Sequence, residues 1–266
     1  MIPAIAAVIV TAVLLVRAGD PDLEAIIWSY RQMVRYGYSE SDLSAGALRG
    51  MLQSITDDYA HLEMPAGSVA LPTAMINLKR YPGVFYVRVT GFSSKTGAEF
   101  ENVIRELEPK DCLIIDVRGC PGGDVGSSIR IAQCICPAGK PFIRIVTLEK
   151  EERTYAGSGL CQVGRVYVFI DGLTASSAEL LTASLKYGAG AVILGSPSFG
   201  KDSVQSKFLL PNGTIIDVTS GYFTYPDGTR VGPIKPETQV DWTMNSDRLE
   251  DFVKALANPW PVSVTP

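Results

Sequence analysis

The sequence predicts an α/β fold, layered from β-sheet and helices, with a helical segment ahead of that core. From Val84 onward, short apolar runs of strand length alternate with segments of helix length, the pattern of helices stacked on a sheet. Ahead of Val84, two stretches repeat apolar residues at helical spacing. With 46% hydrophobic and 20% charged residues in a chain of 266, the core is large enough to fold without a metal or disulfide staple.

Residues 2–16 (IPAIAAVIVTAVLLV) are almost wholly apolar and are followed by Arg17 and a polar stretch. The run is shorter than the ~20 residues that span a bilayer comfortably. It fits the apolar core of an export signal, with Val16-Arg17-Ala18 as cleavage site, although no Lys or Arg precedes it. An uncleaved anchor or a buried helix is the alternative. The expectation is an extracytoplasmic protein, periplasmic, in the cell envelope or secreted, with membrane association through residues 2–16 left open.

In residues 21–36, Leu23, Ile26, Ile27, Tyr30, Met33 and Val34 keep helical spacing, with Pro21 in the first turn. In 41–56, Leu43, Ala47, Leu48, Met51, Leu52 and Ile55 do the same, so the two segments predict a helical hairpin. Strands are predicted at 84–90, 112–117, 142–148, 166–171 and 191–195, and helices near 95–108, 124–135 and 174–187. Later runs at 204–210 and 214–225 flank Pro211-Asn212-Gly213, a hairpin turn signal. The expected division is 1–18 signal or anchor, 19–66 helical segment, 67–242 α/β core and 243–266 tail.

Composition excludes several functions. Net charge is −4 with no basic run, which argues against a nucleic-acid partner, because neutralising phosphates needs clustered Lys and Arg. His61 is the single histidine, so a two-histidine zinc site cannot form, and neither metal nor cofactor is expected. A histidine-dependent triad would have to use His61, whose setting (DDYAHLE) reads instead as a surface position at a helix end. The five cysteines are odd in number and include no CxxC pair. Cys112 and Cys134 sit in apolar runs and read as small core residues, and spacing alone does not assign any disulfide.

Three strand ends carry residues suited to chemistry. The strand at 112–117 runs into Arg118-Gly119-Cys120-Pro121-Gly122-Gly123, where glycines allow backbone N–H groups to approach a ligand and a helix N-terminus favours negative charge. A simple tight turn explains the same residues equally well. The strand at 166–171 runs into GLTASSAEL (172–180), placing Ser176 or Ser177 in a first helical turn, where N-capping is the plainer account. The strand at 191–195 runs into SPSFGKDSVQ (196–205). Gly195 to Lys201 has the spacing of a phosphate-binding loop, but Asp202 replaces the required Ser or Thr. Ser198 and Lys201 also spell Ser-x-x-Lys, without the Lys-Thr-Gly strand that this motif needs. A serine hydroxyl needs a neighbouring base to become a nucleophile. With histidine nearly absent, a lysine kept neutral by burial is the remaining choice.

DVRGCPGG (116–123), LTASSAEL (173–180) and GSPSFGKDSVQ (195–205) resemble the three signature segments of the C-terminal processing, or tail-specific, proteases. GALRGMLQSITDDYAHL (46–62) and GYFTYPDGTRVGPIKPETQVDW (221–242) resemble that family's flanking segments, so the likeness covers most of residues 22–242. It implies a crotonase/ClpP-like layered core. It also implies Ser176 as nucleophile, Lys201 as general base, and Gln205 as the residue that orients the lysine. Backbone N–H groups of Ser177 and of the Gly122-Gly123 turn would form the oxyanion hole. Cys120 stands where the family usually has asparagine, and Asp202 where it usually has glycine. Only about twenty residues separate Met64 from Val84, too few for the family's usual PDZ domain. A PDZ-supplying or homo-oligomeric partner is therefore an open expectation.

The expected function is a serine endopeptidase that hydrolyses protein or peptide substrates through a Ser-Lys dyad. The alternative is a non-catalytic peptide- or lipid-binding module on the same scaffold.

Overall fold

A computed structural model describes residues 21–54, 59–63, 75–109, 111–209, 215–242 and 246–257. The apolar segment 2–16 and the Pro211-Asn212-Gly213 turn lie outside the described residues. No helix among the described residues is long and apolar enough to cross a membrane.

The chain divides into two compact units. The first comprises residues 1–70 and 205–219. It contains helix α1 (Pro21–Arg35), helix α2 (Glu40–Gln53) and strand β1 (His61–Glu63). Ser39 caps α2 by accepting from the Asp42 N–H at 3.3 Å. His61 is therefore the first residue of a strand, not the end of a helix.

The second unit comprises residues 71–204 and 220–266. Its larger sheet uses β2 (Ile76–Tyr81), β3 (Val84–Val89), β4 (Cys112–Asp116), β7 (Arg165–Ile170), β8 (Val192–Gly195) and β11 (Thr238–Gln239). Their order is β11-β8-β7-β4-β3-β2, parallel throughout except for the antiparallel β2. Helices α3 (Thr96–Ile104), α4 (Val125–Ile135) and α5 (Ser177–Ala189) connect these strands. Alternate residues of a strand point to opposite faces, and here each face has its own core. Leu113, Ile115, Val168, Ile170 and Ile193 pack with Phe100, Ile131 and Leu181 of the helices. Ile114, Tyr167, Phe169 and Leu194 pack with Val253 and Leu256, from or just beyond helix α6 (Ser246–Ala255).

A second, antiparallel set pairs β5 (Pro141–Thr147) with β6 (Glu152–Ala156) and with the Gly221–Thr224 end of β10 (Ile215–Thr224). Strand β9 (Ser203–Leu209) pairs with β10. The first half of β10 belongs to the first unit, where it pairs antiparallel with β1 from His61 opposite Asp217 to Glu63 opposite Ile215.

All five cysteines are free thiols, and all but Cys161 are buried. Burial pushes the Cys112 and Cys136 thiols up to about 12, which keeps them protonated and unreactive at neutral pH.

Candidate active site

The three strand ends singled out in the sequence follow β4, β7 and β8, which are neighbours in the larger sheet. Because the three strands are parallel, their carboxyl ends open on one edge. Ligand sites of open parallel sheets form at such an edge.

The turn after β4 is anchored by a buried ion cluster. Asp116 is fully buried and accepts from Arg118 Nε at 2.8 Å, Arg118 Nη2 at 2.6 Å, Tyr86 Oη at 2.5 Å and Arg88 Nη1 at 3.1 Å. Burial, reinforced by the neighbouring Asp116 charge, holds the Tyr86 phenol well above its ordinary range. The Arg118 guanidinium also lies 4.2 Å from the centre of the Trp242 ring. With its first residues pinned, the chain turns through Gly122 and Gly123 at φ +103° and +135°, a region open to glycine. A Cβ on Gly123 would stand 2.1 Å from the Phe92 carbonyl oxygen. A Cβ on Gly122 would stand 2.8 Å from the Ala175 carbonyl oxygen and 2.9 Å from the Ser176 Cβ. The absence of a side chain at Gly122 is therefore what lets this turn touch Ser176. Cys120 is buried in the same turn, and burial pushes its thiol up to about 11 against a hydrogen bond from the Gly122 backbone.

The turn after β7 is joined to the first by several bonds. Ala175 N–H donates to Cys120 O at 3.0 Å, Thr174 Oγ1 to Val117 O at 3.0 Å, and Ser177 Oγ to Gly123 O at 2.7 Å. Asp171 Oδ1 accepts from Gly119 N–H at 2.9 Å and from Leu173 N–H at 3.0 Å. Ser176 caps helix α5 at φ 54°, ψ −119°. Positive φ in a residue with a Cβ costs of order 1–3 kcal/mol and persists only where its surroundings enforce it.

The enforcing group is Glu179, three residues on and fully buried. Its Oε2 accepts from Ser176 N–H at 3.0 Å and from Lys201 N–H at 2.8 Å. Its Oε1 accepts from Ser198 Oγ at 2.5 Å and from Gly200 N–H at 2.6 Å. One carboxylate thus binds the backbone of Ser176 and the backbone of Lys201. Phe199 N–H adds a bond to Thr174 O at 3.0 Å. On the far side, Ser198 N–H donates to Ile234 O at 3.1 Å, and Ile234 N–H donates to Ser198 Oγ at 2.7 Å.

Ser176, Ser177, Gly122, Gly123 and the Lys201 backbone therefore meet in the second unit. Lys201 and Ser176 are both partly buried. Gln205 belongs to the first unit, where its Nε2 donates to Tyr59 O at 2.6 Å. His61 also belongs to the first unit.

Glu179 and Asp116 escaped the sequence reading as site residues. Ser176 to Glu179 spells Ser-x-x-Glu, the signature in which a glutamate at the third helical position reaches back to the N-cap backbone, so Glu179 was legible. Asp116 had no such local signal, because Tyr86 and Arg88 lie 30 and 28 residues away in sequence.

The family model for peptidase family S41 matches residues 83–240. The chain is 31% identical over 165 residues to carboxy-terminal processing protease CtpB of Bacillus subtilis, a match covering 60% of this chain and 34% of that protein. It is 27% identical over 215 residues to carboxyl-terminal-processing peptidase 3, chloroplastic, of Arabidopsis thaliana, covering 77% and 40%. The chain thus spans about a third to two fifths of the length of these curated relatives. Among solved structures, the photosystem II D1 C-terminal processing protease superposes with a TM-score of 0.54 at 25% identity, over 66% of this chain and 47% of that one. A chain from Parabacteroides merdae shares the fold at 15% identity and a TM-score of 0.58, over 94% of this chain and 93% of that one. With more than half of its residues inside the family match and the three signature turns gathered on one sheet edge, the chain belongs to peptidase family S41.

Proposed function

We propose that the chain is a serine endopeptidase that cleaves protein or peptide substrates through an acyl-enzyme on Ser176, with Lys201 as general base. The observation that carries this reading is the Glu179 carboxylate, which accepts from both the Ser176 and the Lys201 backbone N–H groups. Family membership supports the reaction class.

In this mechanism the neutral Lys201 amine takes the proton of the Ser176 hydroxyl as its oxygen attacks the scissile carbonyl carbon. The carbonyl π electrons move onto oxygen. Backbone N–H groups of Ser177 and of the Gly122-Gly123 turn stabilise that oxyanion, each donor contributing ~2.7–4 kcal/mol. When the carbonyl re-forms, the C–N bond breaks and the Lys201 ammonium returns its proton to the departing amine. Water then attacks the ester with the same amine as base, releasing the carboxylate product and free Ser176. The cycle needs neither metal nor cofactor. The strain held at Ser176 supports the nucleophile assignment, since residues in sparsely populated conformations cluster at reacting positions. The role of Gln205 rests on family resemblance alone.

The direct test is turnover of an unstructured protein substrate by wild type, Ser176→Ala and Lys201→Ala. Both variants should lose at least about a thousandfold in kcat while keeping the thermal unfolding profile. Undiminished turnover in Lys201→Ala would refute the base assignment. Saturable peptide binding without cleavage or serine labelling by the wild type would instead point to a binding module.

A further inference from the structure

Cys134 and Cys161 are far apart in sequence, and the fold joins them directly. Cys161 N–H donates to the Cys134 carbonyl at 3.0 Å. Cys134 is in the last turn of α4 and Cys161 lies ahead of β7. The pair thus stands toward the amino ends of the parallel strands, whereas Ser176 stands at their carboxyl edge.

The two segments are fastened at more than this one point. Ser158 N–H and Ser158 Oγ both donate to Gln133 O, at 2.8 Å and 2.9 Å, and Gly159 N–H donates to Cys136 O at 3.1 Å. Residues joined by backbone hydrogen bonds have Cα atoms about 5.5 Å apart in paired strands, and a disulfide spans about 4.4–6.8 Å. The backbone is therefore set at a bridging distance.

The side chains converge as well. Cys161 Sγ reaches Ile104 O, at the end of α3, at 3.7 Å. The Cys134 thiol lies within electrostatic reach of Glu101 and Arg105 from that same stretch, and of Cys161 itself. A cysteine sulfur is placed by χ1 alone, so a change of staggered well redirects it without moving the backbone. The thiol bond to Ile104 O is weak and easily given up. Cys136, two residues after Cys134, turns elsewhere: its Sγ donates to Ser184 O at 3.7 Å.

We propose that Cys134 and Cys161 form a disulfide site, closed by exchange with a small-molecule disulfide such as glutathione disulfide. Cys161, the cysteine that is not buried, reacts first. Its thiolate attacks one sulfur of the reagent and expels a glutathione thiolate. The Cys134 thiolate then attacks Cys161 Sγ, closing the protein S–S bond and expelling the second glutathione thiolate. The two protons lost by the protein thiols end on the two glutathione thiols, and the reagent gains the two electrons. Burial raises both thiols, against the Arg130 and Arg105 guanidinium groups at Cys134, so exchange is slow at neutral pH. The closed bond ties the end of α4 to the segment ahead of β7 and encloses β5 and β6 in a covalent loop.

The test is incubation of the folded full chain with glutathione disulfide at mildly alkaline pH. Acid quenching, alkylation of the remaining thiols with N-ethylmaleimide in denaturant and peptide mapping without reduction follow. Wild type should lose two of its five free thiols and yield a peptide pair joined through Cys134 and Cys161, and dithiothreitol should restore both. Cys134→Ser should stop at a glutathione adduct on Cys161, and Cys161→Ser should keep its remaining thiols. A wild type that keeps all its thiols would overturn the proposal. So would a lasting adduct on Cys161 with Cys134 still alkylated, or a main product joining any other pair. The wild-type map decides the matter even if Cys134→Ser folds poorly.

Discussion

Helices α4 and α5 leave neighbouring parallel strands, β4 and β7, through short turns, yet their first residues are built in opposite ways. At α4 the N-cap Asp124 is extended, at φ −63° and ψ 117°, and its side chain accepts from Ser127 N–H at 2.7 Å. That is the ordinary solution for orphan N–H groups at a helix start. At α5 the N-cap Ser176 sits at φ 54°, and Glu179 reaches back to the Ser176 N–H while gathering three donors from the turn after β8. The first terminus is stabilised within itself. The second is strained, and it is held by a carboxylate that also organises another strand end. The difference separates a helix start made for stability from one made to present a residue.

Substitutions at the two termini should therefore differ in kind as well as size. Glu179→Ala strands four donors and should give the largest effect, destabilising the protein by about 3–5 kcal/mol in urea unfolding and abolishing turnover. If Glu179→Ala unfolds no earlier than wild type, the contrast between the two termini is broken. Next come two glycines of one turn. Gly122→Ala places a methyl group against Ala175 and Ser176 and should lower kcat about a hundredfold, the cost of an ångström-scale misplacement. Gly119→Ala has φ +67° but nothing within 4 Å of the new atom. It should cost about 1 kcal/mol of stability and little rate. Equal losses of rate in the two variants would mean that contact with Ser176 is not what Gly122 provides. The smallest effect is expected from Asp124→Ala, about 1 kcal/mol in thermal or urea unfolding with turnover close to wild type.

The sequence was most legible where a signal is local. The buried parallel strands announce themselves as apolar runs, and β3, β4, β7 and β8 fall within a residue or two of the expected spans. Strand β2, INLKRY, escaped because four of its six residues are exposed at the sheet edge, so neither an apolar run nor an alternation marks it. Strand β6, ERTYA, is polar for the same reason. Helix α6 lies within the stretch expected as a tail, where, among the described residues, Leu249, Phe252 and Val253, with Leu256 just beyond, reach the core. At the site, the three turns were readable from glycine, serine and lysine placed at strand ends. The partner of Asp202 was not, because Arg230 lies 28 residues away and no periodicity encodes an ion pair across such a distance.

The clasp between Ser198 and Ile234 bears on the order in which the site can assemble. Glu179 shares the Ser198 hydroxyl with the Ile234 N–H, 36 residues further along, and Trp242 Nε1 closes on Ile170 O across 72 residues. Contacts so distant in sequence form late, and ribosomal synthesis supplies the N-terminal partners first. A nascent chain that already displays Ser176 and Lys201 still lacks the segment that secures their common anchor. The Glu179 anchor is thereby completed only after the segment carrying Ile234 has been made and has folded back onto it.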